Sequence, residues 1–594
     1  MALFKRLTFK RLSAVAFSVL LATFASAAMA VPVRCDDSLK DSFKPDAQTR
    51  VTQVAAFRKG EDLASVLEPG KAAEDLCMVR LLVGPANPGP ADAPSTSPGI
   101  GVEIWLPSAA NWNSRVLVLG GGGYAARLGP QAPPSRAAGE KGYVSAITDA
   151  GHAPFIGRAF DMARYQDASF LFAPDGRVDP FQWAGFGHRG IHEAAVKGKA
   201  LAKFYYGSPA KSSYYEGASN GGRQGYVAAQ TYPEDFDGIV AGAPAINWAQ
   251  FLVSDIYPQT VMLRDLGRPL TPDQLNLVTS ASIKACDSTV NGEHDGYITD
   301  LAACRYDPVR DSAVLCVADG GSNPTPACVT RREAAVVNKI WYGFTSDGSA
   351  PDPVIDNGYG VKLAPKQLWF GLPRGVNLPE MVVGSKDGKA MPAGIAQAAV
   401  AVALQDTRFA PPFVRNAAGN GQDRWQELTY ADLSRAIAEG IALERKFGPF
   451  YGDDPDLSAF KARGGKLLTL HGVKDQIIPV AGTRHYYARA TEAMGGLDAV
   501  RSFYRYYEVP GRDHGILVVG WTEGTAPPAT LMSDMSMPTS MLDIMVDWVE
   551  NGRTPGPIVS ASLDGTKTRP LCPYPSRVVY TGGDKGRAES YACR

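Results

Sequence analysis

Three side chains in this chain have the types and the order that acyl transfer needs: Ser219, Asp475 and His514. Ser219 stands in Gly217-Ala218-Ser219-Asn220-Gly221, a Gly-x-Ser-x-Gly pattern. A nucleophilic hydroxyl there must project from a strained turn between a strand and a helix, and small flanking residues make such a turn possible. Alone the pattern is a weak signal in a chain with 62 glycines. A base is needed to take the serine proton, and seven histidines supply few candidates. His514, in Val509-Pro510-Gly511-Arg512-Asp513-His514-Gly515, follows a strand pattern and is the preferred base. His485 falls in a helical stretch and reads as a surface residue; His471 closes a strand and reads as a pocket-lining side chain. Asp475, in His471-Gly472-Val473-Lys474-Asp475, has the chemistry to hold the tautomer of His514 and stabilise its cation. Taken alone, Asp475 is equally a turn aspartate. The amide of Asn220 and an amide in Gly120–Gly123 are the oxyanion donors, glycine allowing close approach of the backbone.

These residues need a frame. Arg115–Leu119, Val144–Thr148, Lys211–Tyr215, Phe236–Gly242, Lys466–Leu470 and Phe503–Val509 read as strands. Gly190–Tyr206, Gly222–Tyr232 and Met541–Glu550 read as helices. Alternating strands and helices predict an α/β chain, and a serine turn between strand and helix narrows this to an α/β-hydrolase core. That fold places its nucleophile, acid and base in the order Ser, Asp, His, each after a strand, as here. The alternation stops near Trp248 and resumes at Lys466; between them the chain is rich in Pro, Gly and aromatic residues and holds four of the eight cysteines. The reading is therefore a catalytic domain over residues 31–248 and 463–594 with a lid inserted over 249–462.

Residues 1–30 read as a Sec signal peptide: Lys5, Arg6, Lys10 and Arg11 precede an apolar stretch from Leu12 to Phe24, and Ala28-Met29-Ala30 is a small-x-small cleavage site. Export to the periplasm or beyond is expected. Lys plus Arg and Asp plus Glu both total 60, which argues against nucleic acid or an anionic membrane surface as partner. The eight cysteines, Cys35, Cys77, Cys286, Cys304, Cys316, Cys328, Cys572 and Cys593, suit four local disulfides, although spacing does not fix their connectivity. The run from Cys286 to Asp300 carries closely spaced Asp and Asn oxygens around glycine turns. Such a run suits a hard cation such as Ca²⁺, and equally a solvated polar loop.

The chain resembles the tannase/feruloyl esterase family, which includes the mono(2-hydroxyethyl) terephthalate hydrolases. The resemblance rests on Gly217-Ala218-Ser219-Asn220-Gly221-Gly222-Arg223 and Asp237-Gly238-Ile239-Val240-Ala241-Gly242-Ala243-Pro244. It rests also on Thr148-Asp149-Ala150-Gly151-His152, on Cys286-Asp287 through Asp295-Gly296, and on Arg569-Pro570-Leu571-Cys572-Pro573-Tyr574-Pro575. It implies Ser219 as nucleophile, Asp475 as acid, His514 as base, and the amides of Gly121 and Asn220 as oxyanion donors. It implies a lid with a structural Ca²⁺ held by Asp287, Asn291 and Asp295 side chains and the carbonyls of Glu293 and Tyr297. It implies disulfides Cys35–Cys77, Cys286–Cys304, Cys316–Cys328 and Cys572–Cys593, and no organic cofactor. Ala218 and Gly515 stand where many family members carry a disulfide-bonded cysteine pair, so the His514 loop is expected to be more mobile than in those relatives.

The function implied is hydrolysis of a small ester of an aromatic carboxylic acid, feruloyl, galloyl or terephthaloyl, through an acyl-enzyme. A serine peptidase or acyltransferase of the same fold would share the triad. A non-catalytic binding protein would be expected to have lost a triad member, and none is lost. Trp341, Tyr342, Trp369, Phe370, Phe409, Phe413, Trp425 and Tyr430 are candidate ring contacts, most of them expected in the lid core. Arg374, Arg408, Arg415 and Arg424 are candidates to meet a free substrate carboxylate.

Overall fold

A computed structural model describes residues 33–66, 70–125, 133–152, 165–287, 292, 294–382, 392–514, 535–536, 540–562 and 566–594. Residues 1–30, read above as a signal peptide, thus lie outside the described residues.

Nine strands form one mixed sheet: β1 (Thr49–Phe57), β2 (Leu76–Val83), β3 (Ile100–Pro107), β4 (Arg115–Leu119), β5 (Val144–Thr148), β6 (Ser212–Ala218), β7 (Gly238–Gly242), β8 (Lys466–Gly472) and β9 (Tyr504–Val509). Their order across the sheet is β1-β2-β3-β5-β4-β6-β7-β8-β9. The pairs from β5 through β4 and β6 to β9 are parallel, and β1 to β3 with β5 are antiparallel. Helices α1 (Gly190–Tyr206), α2 (Asn220–Thr231), α4 (Val480–Ala493) and α5 (Met541–Asn551) border this sheet, while α3 (Trp248–Asp255) opens the region after β7. This is the expected α/β-hydrolase architecture. The predicted strands β4 to β9 and helices α1, α2 and α5 are all present, with ends shifted by a few residues.

The strands β1 to β3 are not singled out by sequence pattern. The cause is visible in β2 and β3, where Arg80 and Glu103 sit side by side with Nε to Oε2 at 2.7 Å, almost wholly buried. Facing charges interrupt the apolar run that marks a buried strand, and their pairing, with Gln53, Val66 O and Trp105 as further partners, makes their burial tolerable.

Register sets the site. Ala218 pairs with Gly242, Gly242 with Leu470, and Gly472 with Val509. The C-terminal ends of β6 and β7 therefore lie level, those of β8 and β9 reach two residues further, and all four open onto one edge of the core. All of the chain between Gly242 and Lys466 separates two neighbouring parallel strands, β7 and β8. Among the described residues that stretch contains helices, including Tyr257–Leu266, Pro272–Cys286, Arg331–Tyr342, Gly394–Leu404 and Tyr430–Phe447, and no named strand. Its apolar core is continuous with Tyr124, Val473 and Ile478 at the sheet's edge. The four disulfides join Cys35 to Cys77, Cys286 to Cys304, Cys316 to Cys328 and Cys572 to Cys593, the implied pairing, and leave no free cysteine.

Candidate active site

Ser219 forms the turn between β6 and α2 with φ 60° and ψ −123°. A non-glycine residue at positive φ is strained, and such strain is held only where surrounding structure fixes it. Here the amide of Ser219 donates to Gly242 O at 2.9 Å, and its carbonyl accepts from Arg223 N at 3.1 Å and Ala245 N at 3.0 Å. The flanking glycines have a steric reason: a Cβ on Gly217 would fall 2.8 Å from the carbonyl carbon of Gly221, and one on Gly221 2.8 Å from Gly121 O.

The turn presents Ser219 Oγ to His514 Nε2 at 3.2 Å. His514 Nδ1 lies 2.8 Å from Asp475 Oδ2. A carboxylate can only accept, so Nδ1 carries the proton and Nε2 is free to accept from the serine hydroxyl. Asp475 is wholly buried. Its Oδ1 accepts from the amides of Ile477 at 2.9 Å and Ile478 at 2.7 Å. Burial alone would raise its pKa; the His514 charge and the hydrogen bonds from His471 and His514 outweigh that and hold it well below the usual carboxylate range. For His514, burial favours the neutral form, but the Asp475 charge and hydrogen bond prevail, with help from Asp513, and the pKa is raised.

A model of the family described as tannase and feruloyl esterase matches residues 89–594. The chain belongs to the tannase and feruloyl esterase family. It is therefore a carboxylic ester hydrolase. A protein of Arthroderma benhamiae named "Probable feruloyl esterase" is 33% identical over 90% of this chain and 94% of its own. The crystal structure of feruloyl esterase B from Aspergillus oryzae superposes with a TM-score of 0.71 at 25% identity, covering 94% of this chain and 99% of that one. Tannin acyl hydrolase from Aspergillus niger, at 22% identity and a TM-score of 0.69 over 94% of this chain and 95% of its own, shares the fold.

The resemblance names the amides of Asn220 and Gly121 as oxyanion donors. Asn220 begins α2, so its amide is among those a helix start leaves without an intrahelical partner. The amide of Gly121 donates to Gln224 Oε1 at 3.1 Å. Gln224 is not legible as a site residue in the sequence, since its partner lies on a distant loop. Arg223 stands out in the sequence only as part of a motif, yet it is wholly buried. It donates to Asn220 Oδ1 at 2.7 Å, to Gly187 O at 3.1 Å, to Phe186 O at 3.2 Å and to Phe450 O. Its guanidinium lies 4.6 Å from the Phe450 ring, 5.0 Å from Phe186 and 5.3 Å from Trp248. Burial pushes its pKa down to about 9.

Other sequence expectations need correction. His471 does not line a pocket; it is fully buried behind Asp475, with Nε2 3.1 Å from Asp475 Oδ2. His485 is on α4 as expected, but half-buried, with Nδ1 2.9 Å from Val361 O and its ring near Trp369 and Phe370. Arg374 cannot meet a substrate carboxylate: it is 1% exposed, donates to Asn357 O and Tyr306 O, and lies over Trp341. Arg408 and Arg424 are paired with Asp406 and Glu427. Arg415 is exposed, and its amide donates to Ser169 Oγ. Trp341, Tyr342, Trp369, Phe370, Phe409 and Trp425 are buried as core, as expected for most of the set. Tyr430 is half-buried with its hydroxyl on Asp265, and Phe413 is half-buried.

Of the implied calcium ligands, Asn291 and Glu293 lie outside the described residues, as does Gly515. Asp287, Asp295 and Tyr297 are described. Asp287 is 3% exposed, and its carboxylate accepts from the amides of Asp295 at 3.3 Å and Gly296 at 2.7 Å. Among the described residues no three His, Cys, Asp or Glu side chains converge as a metal cluster. The implied donors are all oxygens between positions 287 and 297 of the sequence, the donor type that fits Ca²⁺. The Tyr297 ring packs on the His514 loop so closely that a Cβ on Gly511 would fall 2.9 Å from its Cδ1.

Proposed function

We propose that the chain is an exported serine esterase that hydrolyses small esters of aromatic carboxylic acids through an acyl-enzyme. One observation carries this reading: Ser219 Oγ, His514 Nε2 and Asp475 Oδ2 form an unbroken chain of contacts at 3.2 and 2.8 Å. The names of the relatives, feruloyl esterases and a tannin acyl hydrolase, support the acyl class.

In the first step Ser219 Oγ attacks the ester carbonyl carbon as its proton passes to His514 Nε2. The carbonyl oxygen gains the negative charge and is received by the amides of Asn220 and Gly121, the latter shared with Gln224 Oε1. Asp475 stabilises the imidazolium without taking its proton. The carbon–oxygen bond to the alcohol then breaks, the alcohol leaving with the proton of His514. Water repeats the sequence on the acyl-enzyme: it loses a proton to His514, adds to the carbonyl and releases the acid, and Ser219 regains its proton. The region between β7 and β8 serves as the lid that meets the acyl group. When bound there, Ca²⁺ supplies structural cross-linking and no chemistry; Asp287, Asn291 and Asp295 side chains and the Glu293 and Tyr297 carbonyls would hold it. The basic and apolar segment at 1–30 supports export.

The test is product release from methyl ferulate, methyl gallate and mono(2-hydroxyethyl) terephthalate, with Ser219→Ala as control. Turnover of one ester that falls by about 10³-fold or more in the control is expected. Turnover that survives Ser219→Ala would overturn the serine mechanism.

A further inference from the structure

His471 occupies a place that the triad alone does not explain. Its Nε2 faces two oxygens, Asp475 Oδ2 at 3.1 Å and Ile478 O at 2.9 Å. Both can only accept here: a carbonyl has no proton to give, and Asp475 is held as the carboxylate by its donors. Nε2 must therefore carry a proton. On the opposite side of the ring, Nδ1 lies 2.8 Å from Thr483 Oγ1, the hydroxyl of a buried threonine on α4. A neutral imidazole with its proton on Nε2 accepts that hydroxyl at Nδ1, so one tautomer satisfies all three partners. The ring is 0% exposed.

Asp475 Oδ2 thus takes two imidazole donors, His514 Nδ1 and His471 Nε2, while Oδ1 takes two backbone amides. We propose that His471 is a positioning residue of the esterase: locked by Thr483, it shares Asp475 Oδ2 with His514, fixing the carboxylate and moderating its pull on the base. The inference rests on the serine-esterase reading. A carboxylate oxygen shared between two donors gives each less, so His471 limits how far Asp475 raises the proton affinity of His514. A second effect is orientation: Ile478 O and Thr483 Oγ1 clamp the His471 ring, and the ring in turn sets the plane of the carboxylate.

The other charged and titratable groups near this pair are Asp513, which acts on His514, Asp255, which lies near Asp475, and Arg512 on the same loop as His514. None of these interactions separates His514 from Asp475, and each is left in place by substitution at 471.

The experiment has two arms. In the first, ¹⁵N-histidine spectra of the unliganded protein report the tautomer of His471. A proton on Nε2, with the signal altered in Thr483→Val, is expected; a proton on Nδ1 would overturn the proposal. This arm needs no turnover, so it stands or falls separately from the esterase reading. In the second, kcat/KM is followed against pH for His471→Leu and His471→Gln. Removing the donor in His471→Leu is expected to move the acidic limb upward by about half a pH unit and to lower kcat with KM little changed, as one lost hydrogen bond implies. His471→Gln offers an amide N–H in nearly the same place and is expected to return the limb toward that of the parent. Equal losses in both variants with an unmoved limb would reduce His471 to packing and overturn the proposal.

Discussion

Gln224 Oε1 accepts the amide hydrogen of Gly121 at 3.1 Å, joining the glycine loop after β4 to the first turn of the helix that follows Ser219. Gln224 is 5% exposed and lies 3.4 Å from the Tyr215 hydroxyl, whose own proton goes to Gly221 O at 2.6 Å. One side chain thus holds the nucleophile turn and the glycine loop at a fixed separation. Replacing Gln224 by Leu is expected to lower kcat about tenfold through loss of a buried hydrogen bond, with KM within about twofold. A faster variant would show instead that Gln224 competes with the oxyanion for the Gly121 amide. Steady-state kinetics on a single ester decides between the two.

The base sets the pH dependence. His514 has its pKa raised above the ordinary value of 6.5, because Asp475 favours the imidazolium by more than burial opposes it. An imidazolium cannot accept the Ser219 proton, so activity is lost as pH falls through this raised value. The acidic limb of kcat/KM is therefore expected above pH 6.5. A limb centred below that pH would show that burial outweighs the combined charge and hydrogen bond of Asp475.

Arg223 is a buried cation that donates to three backbone carbonyls and the Asn220 side-chain oxygen, framed by three aromatic rings. It ties the nucleophile turn to Phe186, Gly187 and Phe450. Arg223→Met leaves these oxygens without that donor, and a loss of about 3 kcal/mol or more in unfolding free energy is expected. Lysine cannot reproduce the planar fork, so Arg223→Lys is expected to recover little of it. Denaturant unfolding of the three proteins is the check.

The Tyr297 ring rests on Gly511, three residues before the base. The contact bears on the loop that carries His514. Chelation by EDTA is expected to lower Tm, since a cation bound only by the folded loop stabilises it by mass action. Tyr297→Ala keeps the carbonyl offered to the cation but removes the ring, and is expected to lower kcat about tenfold through misplacement of His514. An unchanged Tm with EDTA would argue against the cation; unchanged kcat in the variant would argue against the packing route.

The catalytic edge of the sheet is legible in the sequence because short strand-forming segments there alternate with helices, β4 and β7 as apolar runs and β6 and β9 rich in tyrosine, and Ser219, Asp475 and His514 each follow one. Other features depend on the chain turning back on itself. His471 reaches Asp475 only because the loop after β8 doubles back, which a four-residue spacing at a strand end does not announce. Arg374 reads as a free cation in an aromatic region, and only packing shows it capped by Asn357 O and Trp341. Arg80 and Glu103 hide two buried strands, because a charged residue reads as exposed until its partner is placed beside it.

The strands β7 and β8 are neighbours in the sheet, yet the whole inserted region is synthesised between them. Ser219 therefore leaves the ribosome well before Asp475 and His514 exist. A nascent or prematurely terminated chain carries the nucleophile with no base to activate it. Competence for bond cleavage arrives only once the last strands have docked, so vectorial synthesis itself keeps the unfinished polypeptide chemically silent.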